Sequence, residues 1–167
     1  MVIGLPIFAV LLVLLGFSAC FSATEAAMLS INKVRLRHLV EQGHRAARLT
    51  FELMTQLDRV IGTLLIANNL VNVAISAIIS WVFVSLFGPQ EGLAIATVAA
   101  TAVLLLIGEV SPKMFAATHA ELVAFTMARP LRLLMTILHP LATFFTWTLT
   151  STRLRPHSTS CRPSTST

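Results

Sequence analysis

Charge is what this sequence has least of. Lys, Arg, Asp and Glu make up 11% of its 167 residues, while 56% are hydrophobic. A soluble domain carries about 25% charged residues, so a water-exposed globule is excluded. Mean hydropathy is +0.83, as in a domain that sits in lipid. Cysteine is nearly absent. Cys20 lies in an apolar run and Cys161 in a polar tail, which excludes a disulfide framework and any zinc-type cysteine spacing. No basic residue precedes the first apolar run, Met1 to Phe17. A cleaved secretory signal begins with Lys or Arg, so this run reads as a retained first transmembrane helix. Ser18-Ala19-Cys20 resembles a lipoprotein cleavage box only weakly and lacks the basic start.

The charges that are present are unevenly placed. Between Met28 and Arg59 lie Lys33, Arg35, Arg37, Arg45, Arg48 and Arg59, against Glu41, Glu52 and Asp58. Apolar residues in the same stretch recur at helical spacing, with a break at Gly43-His44. The pattern predicts two amphipathic helices on the membrane surface. A helical hairpin packed only on itself is the competing reading. The net charge of +5 lies beside apolar spans, where it acts as an orientation signal. Membrane lipids are the expected partners, and nucleic acid is not. The basic segment is expected on the cytoplasmic side.

The expected fold class is all-α integral membrane, multi-pass, in the plasma membrane of a bacterium. Residues 1–150 form the domain, with spans at about 3–21, 60–87 and 92–108. Juxtamembrane helices are expected at about 26–57 and 114–149. The turn Gly88-Pro89-Gln90-Glu91-Gly92 has one negative and no positive charge, as an outside loop should, which places the N-terminus outside. Arg129-Pro130 and His139-Pro140 are expected to break the stretch from Met114 to Thr150 into helices lying against the cytoplasmic side. A fourth crossing near Leu133 to Leu149 competes with that reading. Residues 151–167, rich in Ser, Thr, Arg and Pro, are expected to be a disordered or aberrant tail, as of a truncated or frame-shifted end.

Three apolar segments carry oxygen-bearing side chains. Ser18, Ser22, Thr24 and Glu25 close the first; Asn68, Asn69 and Asn72 interrupt the second; Gly108-Glu109-Val110-Ser111-Pro112-Lys113 ends the third. A carboxylate in such a segment is costly without a partner, water or an ion. Oxygen ligands suit hard cations such as Mg²⁺ or Na⁺. Asn69 and Asn72, three apart, share a helix face, as do Ser18, Ser22 and Glu25. Gly108 permits close backbone approach, and Pro112 frees a carbonyl one turn earlier. Structural readings stay open beside these. Hydroxyls in membrane helices bond to their own backbone or to neighbouring helices, and asparagine pairs join helices. Glu109 has Lys113 four residues on as a local partner. Ser22 has no nucleophile-elbow motif around it, so no enzyme is expected.

Four motifs in order carry a resemblance. Phe21-Ser22-Ala23-Thr24-Glu25-Ala26-Ala27, Asn32-Lys33-Val34-Arg35-Leu36-Arg37, Leu65-Ile66-Ala67-Asn68-Asn69-Leu70-Val71-Asn72 and Gly108-Glu109-Val110-Ser111-Pro112-Lys113 resemble the transmembrane domain of the CorC/CorB and cyclin M (CNNM) magnesium transporters. The resemblance spans about residues 4–149. It implies three transmembrane helices with juxtamembrane helices, assembled as a homodimer. It implies Mg²⁺ export coupled to Na⁺ entry, with Ser18, Ser22, Glu25, Asn69, Gly108 and Glu109 in the metal site. Glu109 would neutralise charge, Ser22 and Asn69 would give neutral oxygens, and a carbonyl near Gly108 would complete the set. Glu25 would neutralise the ion or order the bend into the amphipathic helix. Members of this family continue into cytoplasmic CBS modules that bind nucleotide. The sequence ends before them, so nucleotide binding is not expected in this chain. A non-transporting membrane anchor or interaction module is therefore the alternative.

Overall fold

A computed structural model describes residues 4–153, with side chains for residues 5–137. It contains helices and, among the described residues, no strand. Helix α1 (Gly4–Ser30) is followed by α2 (Lys33–Glu41) and α3 (Arg45–Met54). Helix α4 (Leu57–Phe87) turns back into α5 (Pro89–Val103), which continues through a π-helical segment (Leu104–Val110) into α6 (Ser111–Thr118). Helix α7 (Ala120–Arg153) closes the described chain.

Three stretches are long and apolar enough to cross a membrane: Leu5–Ser30, Leu57–Phe87 and Pro89–Thr118. At 1.5 Å per residue, a 31-residue α4 is about 46 Å long, more than a hydrocarbon core of about 30 Å requires. Their lipid-compatible outer faces include exposed Phe8, Val13, Leu70, Val73, Trp81 and Val98. The protein is therefore a multi-pass integral membrane domain.

Local chemistry sets the breaks. The Asn32 side chain caps α2 by accepting hydrogen bonds from the Val34 and Arg35 N–H groups at 3.0 and 3.2 Å, relieving two orphan donors. Gly43, at φ 82°, ends α2. Its N–H donates to the Val40 carbonyl, and the His44 N–H donates to Leu39, the paired bonds of a Schellman motif. Gly88, at φ 86°, and Pro89 turn α4 into α5. A Cβ on Gly92 would lie 2.6 Å from the Phe83 carbonyl oxygen, so only glycine lets α4 and α5 approach this closely.

The surface helices are not an isolated hairpin. Leu36 of α2 and Ala47 of α3 join Ala27 of α1, Ile31 just after it, Ala116 of α6 and Ala124 of α7 in one apolar cluster. Met28, Leu53, Val60, Leu64, Ala128 and Leu131 form a second. Leu15, Ile75, Ile79, Ala96 and Ala100 form a third, between α1, α4 and α5. Ion pairs Arg35–Glu121 at 2.9 Å and Arg132–Glu52 at 4.0 Å span α2 to α7 and α7 to α3.

Two differences from expectation have physical reasons. Helix α1 runs past Phe21 to Ser30 because Ala27 and Met28 are buried against the surface helices. Helix α7 is not broken at Pro130 or Pro140. Pro130 is exposed, while Ala128 and Leu131 beside it anchor the helix in the second cluster; a proline is accommodated when packing fixes the helix around it. The expected tail at 151–167 lies outside the described residues beyond Arg153.

Candidate cation site

The polar residues meet between the apolar clusters. Along α1, Ser18 and Ser22 lie between Leu15 of the third cluster and Ala27 and Met28 of the other two. Along α4, Asn68 and Asn72 lie between Leu64 and Ile75. Asn72 falls at the midpoint of Leu57–Phe87, so the site lies half-way along this membrane-length helix. Ser18 and Ser22 are both 0% exposed, where an unpaired hydroxyl is costly.

Asn72 joins all three membrane stretches. Its Nδ2 donates to Glu109 Oε1 at 3.0 Å, and its Oδ1 accepts from Ser18 Oγ at 2.7 Å. An ionised carboxylate only accepts. That fixes the Asn72 nitrogen toward Glu109 and its oxygen toward Ser18. Ser18 Oγ also lies 3.2 Å from Asn68 Oδ1, and Asn68 Nδ2 lies 3.5 Å from Ser22 Oγ. The single Ser18 proton is used at the shorter Asn72 contact. Turning the Asn68 amide by half a rotation gives both of its contacts a donor and an acceptor.

The third wall is backbone. Gly108 is buried in the π-helical segment, and a Cβ there would sit 3.1 Å from Ser18 Oγ. Glycine thus lets α1 close on the widened turn. Such turns occur often at functional sites, because the irregular ladder re-aims side chains and carbonyls. Ser111 Oγ donates to the Leu106 carbonyl at 2.6 Å, five residues back, supporting that register. Pro112 has no N–H to offer the Gly108 carbonyl four residues earlier. Replacing Gly108 by Ala is expected to cost about 1 kcal/mol through crowding against Ser18. Thermal unfolding in detergent should show the loss, and a neutral result would mean the helices simply part.

The sequence-predicted residues divide. Ser18, Ser22, Gly108 and Glu109 come together. Asn69 is exposed; Asn68 and Asn72 supply the inward amides instead. Four-residue spacing, the same as that of Ser18 and Ser22, was the signal for this pair. Glu25 makes an ion pair with Lys113 at 3.3 Å, its side chain 17% exposed. Lys113 therefore reaches across to α1 rather than back to Glu109. Thr24 Oγ1 donates to the Cys20 carbonyl at 2.6 Å, within its own helix. Because Lys113 is 42% exposed, Glu25→Gln should change stability by no more than about 1 kcal/mol. A denaturation midpoint displaced well beyond that would give the pair a larger structural role.

Chemically, the cluster offers one carboxylate with neutral hydroxyl, amide and carbonyl oxygens. No group of three or more His, Cys, Asp and Glu suited to a metal occurs among the described residues. Oxygen donors of this kind suit hard cations that retain water. A cation would enter by replacing bonds the polar atoms now make to one another.

Residues 9–160 match the family model described as the cyclin M transmembrane N-terminal domain. The chain belongs to the cyclin M transmembrane domain family. A UPF0053 protein of Haemophilus influenzae is 42% identical over 135 residues, covering 81% of this chain and 32% of the relative. The UPF0053 inner membrane protein YfjD of Escherichia coli is 43% identical over 121 residues, covering 71% and 28% respectively. A chloroplastic DUF21 domain-containing protein of Arabidopsis thaliana is 32% identical over 138 residues, covering 83% and 21%. The chain thus spans a third or less of the length of these relatives. Within this cyclin M domain, the part-buried Ser18–Asn72–Glu109 connection joins the three membrane stretches through polar side chains.

Proposed function

We propose that this domain carries Mg²⁺ across the membrane in the direction of export, with Na⁺ as the coupled ion. The observation supporting this reading is the Asn72 amide linking Ser18 to the Glu109 carboxylate half-way along α4. Among the described residues Glu109 makes no ion pair, and an ionisable residue so placed is a functional-site candidate by default. Mg²⁺ is typically held by one or two carboxylates while keeping several waters. Glu109 supplies the charge. Ser18, Ser22, Asn68 and the Gly108 carbonyl supply neutral oxygens, and Asn72 releases Glu109 as the ion arrives. Glu25, paired with Lys113, stands beside this set and neutralises a passing cation when that pair opens. Asn69 faces outward and serves the ion only from another surface.

The working unit is proposed to be a homodimer in the plasma membrane, with the basic end cytoplasmic and the N-terminus outside. Exposed Leu70, Val73 and Trp81 on α4 and Val98 on α5 supply apolar surface for a second copy or for lipid. A non-transporting membrane anchor is the second reading. An intramembrane hydrolase gains no support from Ser22, because its neighbour Asn68 is a neutral amide and not a base.

Purified protein in vesicles containing a Mg²⁺-sensitive dye tests the proposal. Mg²⁺ movement that increases with an opposing Na⁺ gradient is expected. Binding without movement would favour the anchor. Neither binding nor movement, in folded protein, would remove the ion reading.

A further inference from the structure

A second polar feature lies where two membrane stretches end, apart from the Ser18–Asn72–Glu109 network. An open cavity of about 210 Å³ is lined by Lys33, Leu36 and Arg37 of α2 and by Phe51, Met54 and Thr55 at the end of α3. Lys33, Leu36 and Arg37 lie at helical spacing, so they share one face of α2. Leu36 is 1% exposed and, with Phe51 and Met54, gives the cavity an apolar floor. Lys33 and Arg37 are exposed and give it charge.

That charge is of one sign. Among the described residues, Lys33 and Arg37 make no ion pair, and no carboxylate lines the cavity. Glu121 is held by Arg35 at 2.9 Å, and Glu52 lies between Arg48 at 3.7 Å and Arg132 at 4.0 Å. Glu41, one turn beyond Arg37, is exposed and lies outside the lining. The first amides of α2 add nothing, because the Asn32 side chain already accepts from Val34 and Arg35. The Thr55 hydroxyl donates to the Glu52 carbonyl at 2.7 Å. An anion in the cavity therefore depends on the two cationic side chains.

The position suggests what carries the anion. Lys33 comes just after Ser30, the end of the first membrane stretch, and Thr55 just before Leu57, the start of the second. The cavity thus stands at the level of the lipid headgroups. Leu29 and Val34, close to Lys33 in the chain, are 59% and 78% exposed. They offer acyl chains apolar surface beside the cations, which a free phosphate would not use. Basic side chains on an amphipathic helix at this level attract anionic lipids.

We infer that this cavity binds the phosphate headgroup of an anionic phospholipid, held between Lys33 and Arg37 over the apolar floor. Native mass spectrometry of the purified chain, titrated with phosphatidylglycerol or phosphatidylcholine, tests this. Phosphatidylglycerol should bind more tightly. Lys33→Gln and Arg37→Gln should each weaken its binding about fivefold, as expected for one basic residue near the headgroups. Arg37→Lys, which keeps the charge, should retain most of it. Arg45→Gln removes an equal charge from an exposed position outside the cavity and should leave binding unchanged. Equal binding of the two lipids would overturn the inference. Equal losses from Arg37→Gln and Arg45→Gln would reduce the cavity to part of a generally basic surface and overturn it too. So would a loss from Arg37→Lys as large as that from Arg37→Gln, because charge would then not be what binds. Displacement of phosphatidylglycerol by an equal concentration of inorganic phosphate would overturn the lipid assignment in favour of a free anion.

Discussion

Glu109→Gln is expected to abolish Mg²⁺ binding while leaving the domain folded. Glutamine keeps the side-chain length and an oxygen to accept the Asn72 Nδ2 bond, now 3.0 Å long. It removes the one carboxylate in the part-buried Ser18–Asn72–Glu109 network. For a divalent ion in a low-dielectric setting, losing that charge should weaken binding by roughly 100-fold or more. Stability should move the other way or not at all, because desolvating a carboxylate opposes folding. Isothermal titration with Mg²⁺, paired with thermal unfolding in the same detergent, reads both effects. Loss of binding together with collapse of the fold would make Glu109 a structural residue and undo the assignment.

Asn72→Leu is expected to damage both properties. Ser18, 0% exposed, would lose its acceptor at 2.7 Å, and Glu109 would lose its donor. Ser18 keeps its 3.2 Å contact to Asn68, so the loss should be roughly 1–3 kcal/mol, the cost of one unmet polar group inside the bundle. Leucine fills the space, so a cavity contributes little. The matching change Asn69→Leu alters an exposed position and should shift stability by less than about 0.5 kcal/mol. Chemical denaturation of the two variants side by side checks the contrast. Equal losses would mean that the inward and outward asparagines are misassigned.

That contrast also shows what the sequence made readable. Long apolar runs gave the membrane stretches, because lipid demands length and apolarity at every turn. Ser18, Ser22 and Glu109 stood out because oxygen in such runs is expensive. The amide face was less readable. Spacings of three and four both keep side chains on one face, and Asn68, Asn69 and Asn72 offer both. Only packing of α4 against α1 selects Asn68 and Asn72. The Glu25–Lys113 pair was hidden for a related reason. Lys113 had a ready partner in Glu109 at ordinary helical spacing, but the π-helical segment at Leu104–Val110 changes the faces of the residues that follow. Gly108 and Pro112 were its only local marks. Pro130 misled in the opposite sense: its effect on the backbone is intrinsic, whereas the packing of Ala128 and Leu131 that holds α7 together is tertiary.

The most direct measurement is the position of a bound ion. Crystals of the purified domain grown with Mn²⁺ in place of Mg²⁺ would show it in an anomalous-scattering map. The account predicts a peak about 2.1 Å from a Glu109 carboxylate oxygen, the range of a hard octahedral cation, with Ser18 or Ser22 oxygen in its shell. A fully occupied Mn²⁺ elsewhere in the bundle, with the Ser18–Asn72–Glu109 bonds intact, would contradict it.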